Sequence, residues 1–138
     1  MTDRDRLLIR SAPYFLVADV DKASEYYERV LGFASEYKAG APAAFAIQSR
    51  DGLAVMLRLA SPGATLVPNE LQRGTWDAFF WTSDVRILLG ELRSSGATLV
   101  YDLVYQDAYN MDEFAVRDLD GYILGFGQAR STPPQPGA

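Results

Sequence analysis

Histidine and cysteine are both absent from this 138-residue chain, and that settles much of the chemistry open to it. Without imidazole there is no Ser-His or Cys-His pair, no nitrogen metal ligand, and no group that titrates unassisted near neutrality. Without thiols there is neither a disulfide nor a thiolate nucleophile. Proton transfer falls to a carboxylate, lysine or tyrosine with a displaced pKa. Any metal would have to be held by oxygen alone. Glu113 and Arg117 share one short strand-like segment, EFAVR. They either form a structural ion pair, or Glu113, desolvated without a partner, rises in pKa and serves as a general base.

The composition narrows the partners. A formal net charge of −5 and no basic stripe argue against nucleic acid as a partner. Apolar residues at 49% and charged ones at 22% are those of an ordinary globular chain. The opening MTDRDRLLIR has no apolar run of the signal-peptide kind, and no stretch is long enough for a membrane span. The expectation is a cytoplasmic protein of one domain that needs no disulfide to fold.

The elements that position these residues read twice through one pattern. Ala12–Ala18 alternates as a strand, Asp19 and Asp21 offer N-caps, and Ala23, Tyr26, Tyr27, Val30 and Leu31 form a helical stripe ended by Gly32. Three strands follow near residues 34–38, 42–48 and 53–59, the last two joined at Asp51-Gly52. The second pass has a strand over 77–83, the cap Asp84, a stripe of Val85, Leu88, Leu89 and Leu92, and the stop Gly96. Strands near 98–105, 113–117 and 122–126 complete it, with a turn at Asp120-Gly121. Caps and turns recur at nearly constant offset, the mark of an internal repeat. The expected fold class is therefore α+β: two tandem βαβββ modules forming a cupped mixed sheet with helices on its outer face. The expected layout is an arm (1–10), one domain over 11–128 (modules 11–60 and 76–128, linker 61–75) and a disordered Pro-rich tail (129–138).

The segments SAPYFLVADVDKASEYYERVLGF (11–33) and MDEFAVRDLDGYILGFGQ (111–128) resemble the vicinal-oxygen-chelate superfamily. This is the group of glyoxalases, extradiol dioxygenases and bleomycin-resistance proteins. The fold hosts many chemistries, so the resemblance bears on architecture more than on activity. It implies a divalent metal held by up to four ligands, two per module. The matching positions here are Ala12, Met56, Asp77 and Gly125. Three of them carry no hard-metal ligand, and one carboxylate does not hold a catalytic cation. No metal and no cofactor are therefore expected, and the style is that of the metal-free bleomycin-resistance branch.

Strand alternation from those positions places Tyr14, Arg58, Phe79 and Trp81 toward the cup beside Met56 itself, and on the penultimate strand the resemblance implies that Ala115 faces it, with Glu113 and Arg117 on the same face. Asp77 would meet a cationic group or a backbone N–H, and Tyr109 would cover a ligand or decorate a loop. Tyr14, Phe79 and Trp81 line either a flat aromatic binding surface or a core or dimer interface. The leading expectation is a metal-free protein that binds, and sequesters, a small planar or aromatic antibiotic-like molecule as a homodimer. The alternatives are a metal-independent isomerase or lyase using Glu113 and a non-catalytic interaction module whose cup is filled by its own side chains.

Overall fold

The computed structural model describes residues 6–131. Part of the expected arm (1–5) and most of the expected tail (132–138) lie outside the described residues. The chain divides into two compact units, Met1–Leu66 and Val67–Ala138. Each holds one copy of the repeat, and among the described residues no helix is long and apolar enough to cross a membrane.

Module 1 runs β1 (Tyr14–Val17), α1 (Val20–Tyr26), β2 (Ala34–Ala39), β3 (Phe45–Arg50) and β4 (Leu53–Leu59). Module 2 repeats this as β5 (Ala78–Trp81), α2 (Val85–Ser94), β6 (Thr98–Gln106), β7 (Met111–Arg117) and β8 (Ile123–Ala129). The sheet orders are β1-β4-β3-β2 and β5-β8-β7-β6. In each, the first strand is parallel to the last and the remaining pairs are antiparallel. The α+β class and the tandem βαβββ order are as the sequence led one to expect.

Local chemistry explains the element boundaries. Asp19 accepts from the Lys22 N–H at 2.9 Å and Asp84 from the Ile87 N–H at 3.0 Å, so both helices begin at a capping aspartate. At the β3–β4 turn Asp51 and Gly52 both have positive φ, 52° and 81°, which is what a tight two-residue hairpin requires. The first helical stripe differs from expectation in one respect. After Tyr26 the chain opens into a π-helical turn, Tyr27–Leu31, before Gly32 closes it at φ 77°. The wide turn lets the Phe33 N–H reach the Tyr27 carbonyl at 2.8 Å while Tyr27 and Leu31 both stay buried.

Each helix packs against one face of its own sheet. In module 1, Val20, Ala23, Tyr27 and Leu31 are buried together with Phe15, Val17, Ala46, Val55 and Leu57. Gln48 is fully buried among them. Its Oε1 accepts from Ser24 Oγ at 2.6 Å and its Nε2 donates to the Phe33 carbonyl at 2.9 Å, so this polar group is satisfied. In module 2, Val85, Leu89 and Leu92 are buried with Phe114, Val116, Leu124 and Phe126. Phe126 stacks between Phe80 and Phe114, with centroids 5.5 and 5.4 Å away. The even-numbered residues of β5, β7 and β8 thus form this core, which turns the odd-numbered ones to the opposite face.

Candidate functional site

That opposite face in module 2 gathers most of the chemistry. Strand pairing lines up Phe79, Gly125, Ala115 and Tyr101 in one row across the sheet, and Trp81, Gly127, Glu113 and Val104 in the next. Trp76, just before β5, lies against Phe79 with ring centroids 4.7 Å apart, and Phe79 meets Trp81 edge-on at 5.1 Å. The two glycines make room for these rings. A Cβ on Gly125 would stand 2.7 Å from Phe79 Cδ2 and from Trp76 Cδ1 and Nε1. One on Gly127 would stand 2.5 Å from Met111 Cε and 2.7 Å from Phe79 Cζ. The wall ends in Trp81, which is 70% exposed.

Behind the wall sits Glu113, with none of its surface exposed. Trp76 Nε1 donates to the Tyr101 hydroxyl at 2.8 Å. Tyr101 donates in turn to Glu113 Oε2, and Tyr109 donates to Oε1. Both carboxylate oxygens therefore have a partner, as a buried acid requires. Burial is the main force raising the Tyr101 hydroxyl far above its ordinary value, and the bond to Glu113 adds to it. Tyr109, 45% exposed, is pushed up to about 12, first by desolvation and then by the same carboxylate. A phenol so raised stays protonated at neutral pH and donates rather than acting as a base.

The remaining candidates divide between the modules. Asp77 accepts from the Asn69 N–H through Oδ1 and from the Ile123 N–H through Oδ2, both at 2.8 Å. It ties the turn over Asn69–Gln72 and the start of β8 to the start of β5. Arg117 pairs with Glu70, with Nη2 3.3 Å from Oε2. The pairing of Glu113 with Arg117 weighed from the sequence thus gives way to separate partners. Four residues along a strand span roughly 13 Å, farther than two side chains fixed elsewhere need bridge. In module 1, Tyr14 (56% exposed) and half-buried Met56 share a row with Ile47, while Leu16 and Arg58 share the next with Phe45. Arg58 is exposed and makes no ion pair among the described residues.

The metal-ligand positions implied by the sequence resemblance can be tested on this geometry. Met56 pairs with Tyr14 in module 1 as Gly125 pairs with Phe79 in module 2, so the two positions are equivalent. One offers a thioether and the other no side chain, with two rings pressed onto its backbone. Asp77 already spends both oxygens on backbone N–H groups. Among the described residues no group of three or more acidic, His or Cys side chains is placed to share an ion. This donor set does not suit a hard divalent cation, which takes several oxygens at once.

Trp76 and Tyr101 are the participants that sequence patterning missed. Trp76 precedes its strand, where alternation has no force. The register of β6 slips on both sides of Tyr101, so counting by twos cannot assign its face. An aromatic residue across from a small one, Tyr101 opposite Ala115, was the only available signal.

No curated protein matches the chain. Solved structures do. TioX from Micromonospora sp. ML1 shares 23% identity at a TM-score of 0.70, covering 89% of this chain and 100% of that one. The bleomycin resistance determinant encoded on transposon Tn5 shares 19% at 0.69, covering 89% and 99%. A glyoxalase-related enzyme from Clostridium phytofermentans shares 14% at 0.70, covering 92% and 99%. At these identities the likeness is one of fold. The family profile itself matches residues 11–126, and with the paired βαβββ modules on the page the chain belongs to the glyoxalase/bleomycin resistance protein/dioxygenase superfamily.

Proposed function

We propose that this protein binds a small planar or aromatic organic molecule without the help of a metal, and that it sequesters rather than transforms it. The observation that carries this reading is Trp81. A tryptophan 70% exposed at the end of a packed row of rings, touching Phe79 only along an edge, offers a flat apolar surface to solvent. Tyr109 beside the buried Glu113 supplies polar anchorage at its edge. Metal independence rests on the donor set: Ala12, Met56 and Gly125 bring no oxygen side chain, and Asp77 is occupied. Catalysis by Glu113 ranks lower, because two tyrosine hydroxyls already hold its oxygens. A cytoplasmic homodimer completes the proposal, with the arm and single domain read from the sequence but with the domain running past residue 128, because Ala129 closes β8 and Arg130 is bonded to Asp112 and Asn110.

A second reading, an interaction module with no guest, gains support from Trp76 and Phe79, which fill the space over Gly125. One titration separates the two. Purified protein is mixed with a panel of planar aromatic antibiotics while tryptophan emission and the thermal midpoint are followed, with and without added zinc or manganese. Binding predicts saturable quenching that is indifferent to the metals and absent in Trp81→Ala. A flat response in both signals across the panel would sink the binding reading and favour the filled module.

A further inference from the structure

The helix-covered face of module 2 carries an open polar cavity of about 450 Å³, lined by Arg86, Asp112, Gln128, Ala129, Arg130 and Ser131. Asp112 and Gln128 are partners across β7 and β8. Their strand neighbours Glu113 and Gly127 are the residues of the aromatic site, so the cavity opens on the opposite side of the same sheet.

Its charges are arranged, not scattered. Arg130 grips Asp112 with Nε at 3.1 Å and Nη2 at 2.9 Å. Its guanidinium carbon lies 3.8 Å from the centre of the Tyr105 ring. Its backbone N–H donates to the Asn110 carbonyl and its carbonyl accepts from Asn110 Nδ2, both at 3.1 Å. This clamp uses two of the three guanidinium nitrogens and leaves Nη1 to donate elsewhere. Gln128 spends its Oε1 on the Val85 N–H at 2.9 Å, which fixes the amide so that its NH₂ is the half left over. Arg86 makes no ion pair or hydrogen bond through its side chain among the described residues, yet it stands close enough to depress the Asp112 carboxyl together with Arg130. Because Arg130 consumes both Asp112 oxygens, the second guanidinium is uncompensated and the cavity is cationic. It also lies at the start of the ten-residue helix α2, whose N-terminal end is electropositive.

We propose that this cavity is a binding site for a tetrahedral oxyanion, either free phosphate or the phosphate of a monoester, received by Arg86, the free Nη1 of Arg130, the Gln128 amide and the Ser131 hydroxyl. One clamped and one unpaired guanidinium beside a locked amide suit an acceptor-only ligand with several oxygens. The site is independent of the aromatic face and survives if the reading of that face fails.

The test is a ¹⁵N-edited NMR titration of the whole protein with inorganic phosphate, and separately with phenyl phosphate, against sodium chloride at matched ionic strength. Saturable shifts confined to Arg86, Gln128, Arg130 and Ser131 are expected, with Arg86→Ala weakening binding at least tenfold at an unchanged thermal midpoint. Arg86 is exposed and its side chain makes no hydrogen bond or ion pair among the described residues, so its removal leaves the fold intact. Tighter binding of phenyl phosphate would assign the site to a monoester, and tighter binding of the inorganic ion to free phosphate. Linear shifts matched by chloride, or equal affinity in Arg86→Ala, would overturn the proposal.

Discussion

One methyl group at Gly125 tests the packing on which the aromatic site depends. Alanine there would place a Cβ 2.7 Å from three ring atoms, two of them on Trp76. These rings are not free ends. Trp76 is held by its bond to Tyr101 and Phe79 is wedged between two indoles. Overfilling a packed site costs about 1–3 kcal/mol, and displacing Trp76 forfeits a hydrogen bond worth about 1 kcal/mol. Against this, alanine gains about 0.4–1 kcal/mol by restricting the unfolded chain. The net expectation is a loss of roughly 1–3 kcal/mol, which for a chain of this size lowers the thermal midpoint by about 4–10 °C. Gly90→Ala is the control. Gly90 is exposed on α2 with nothing within 4 Å of an added Cβ, so the same chemical change gains up to about 1 kcal/mol of helix propensity. Thermal unfolding followed by circular dichroism reads both. A Gly125→Ala midpoint at or above that of the wild type would refute the claim that the rings rest on that backbone.

Three further expectations follow from the electrostatics and the caps. Glu113→Gln removes the charge that helps hold the Tyr109 hydroxyl at about 12, so absorbance at 295 nm should show this tyrosine titrating lower. A phenol raised in the folded state contributes stability that is fully present below its unfolded value of about 10 and is lost as pH rises through the folded value of about 12; the alkaline decline should be shallower in the variant. At the acid end, Arg10 and then Ser49 hold exposed Glu36 near 2, against an ordinary 4.5. A depressed carboxyl contributes stability above its unfolded pKa that fades as pH falls toward the folded one, so Arg10→Ala should flatten the acid limb of a midpoint-versus-pH curve between about 5 and 2. Asp84→Ala deletes the acceptor of the Ile87 N–H and should cost about 1 kcal/mol in denaturant unfolding, and an unchanged midpoint concentration would count against the cap.

The fold was legible because its signals are local and repeated. A capping aspartate, an apolar stripe and a glycine stop recur in each half, and each acts within one turn of chain. The site was legible only in outline. Phe79 and Trp81 fell out of alternation from a fixed position, and Glu113 from the family resemblance that set the facing of its strand. What escaped are contacts that no short-range rule encodes. Arg117 meets Glu70 from the segment before β5. Asp77, which from its type alone suits a ligand's cation, instead joins three pieces of backbone. Tyr101 lies where register slips. The irregular places hid the partners.

The two modules share a template, and the way they differ explains the exposed tryptophan. At equivalent positions of the last strand, module 1 carries Met56 and Arg58 and module 2 carries Gly125 and Gly127. In module 1 side chains stand at both positions of β4, half-buried Met56 beside Tyr14 and exposed Arg58 beside Leu16. In module 2 the bare strand instead admits Trp76, Phe79 and Met111 down to the backbone. Once Phe79 Cζ and Met111 Cε occupy the space over Gly127, the residue paired with it across the sheet, Trp81, has no seat on its own strand's face. Its indole can only pack edge-on against Phe79 and turn its remaining surface outward. The 70% exposure of Trp81 thus goes with two glycines on a neighbouring strand, whose bare backbone lets Phe79 and Met111 take the space beside it.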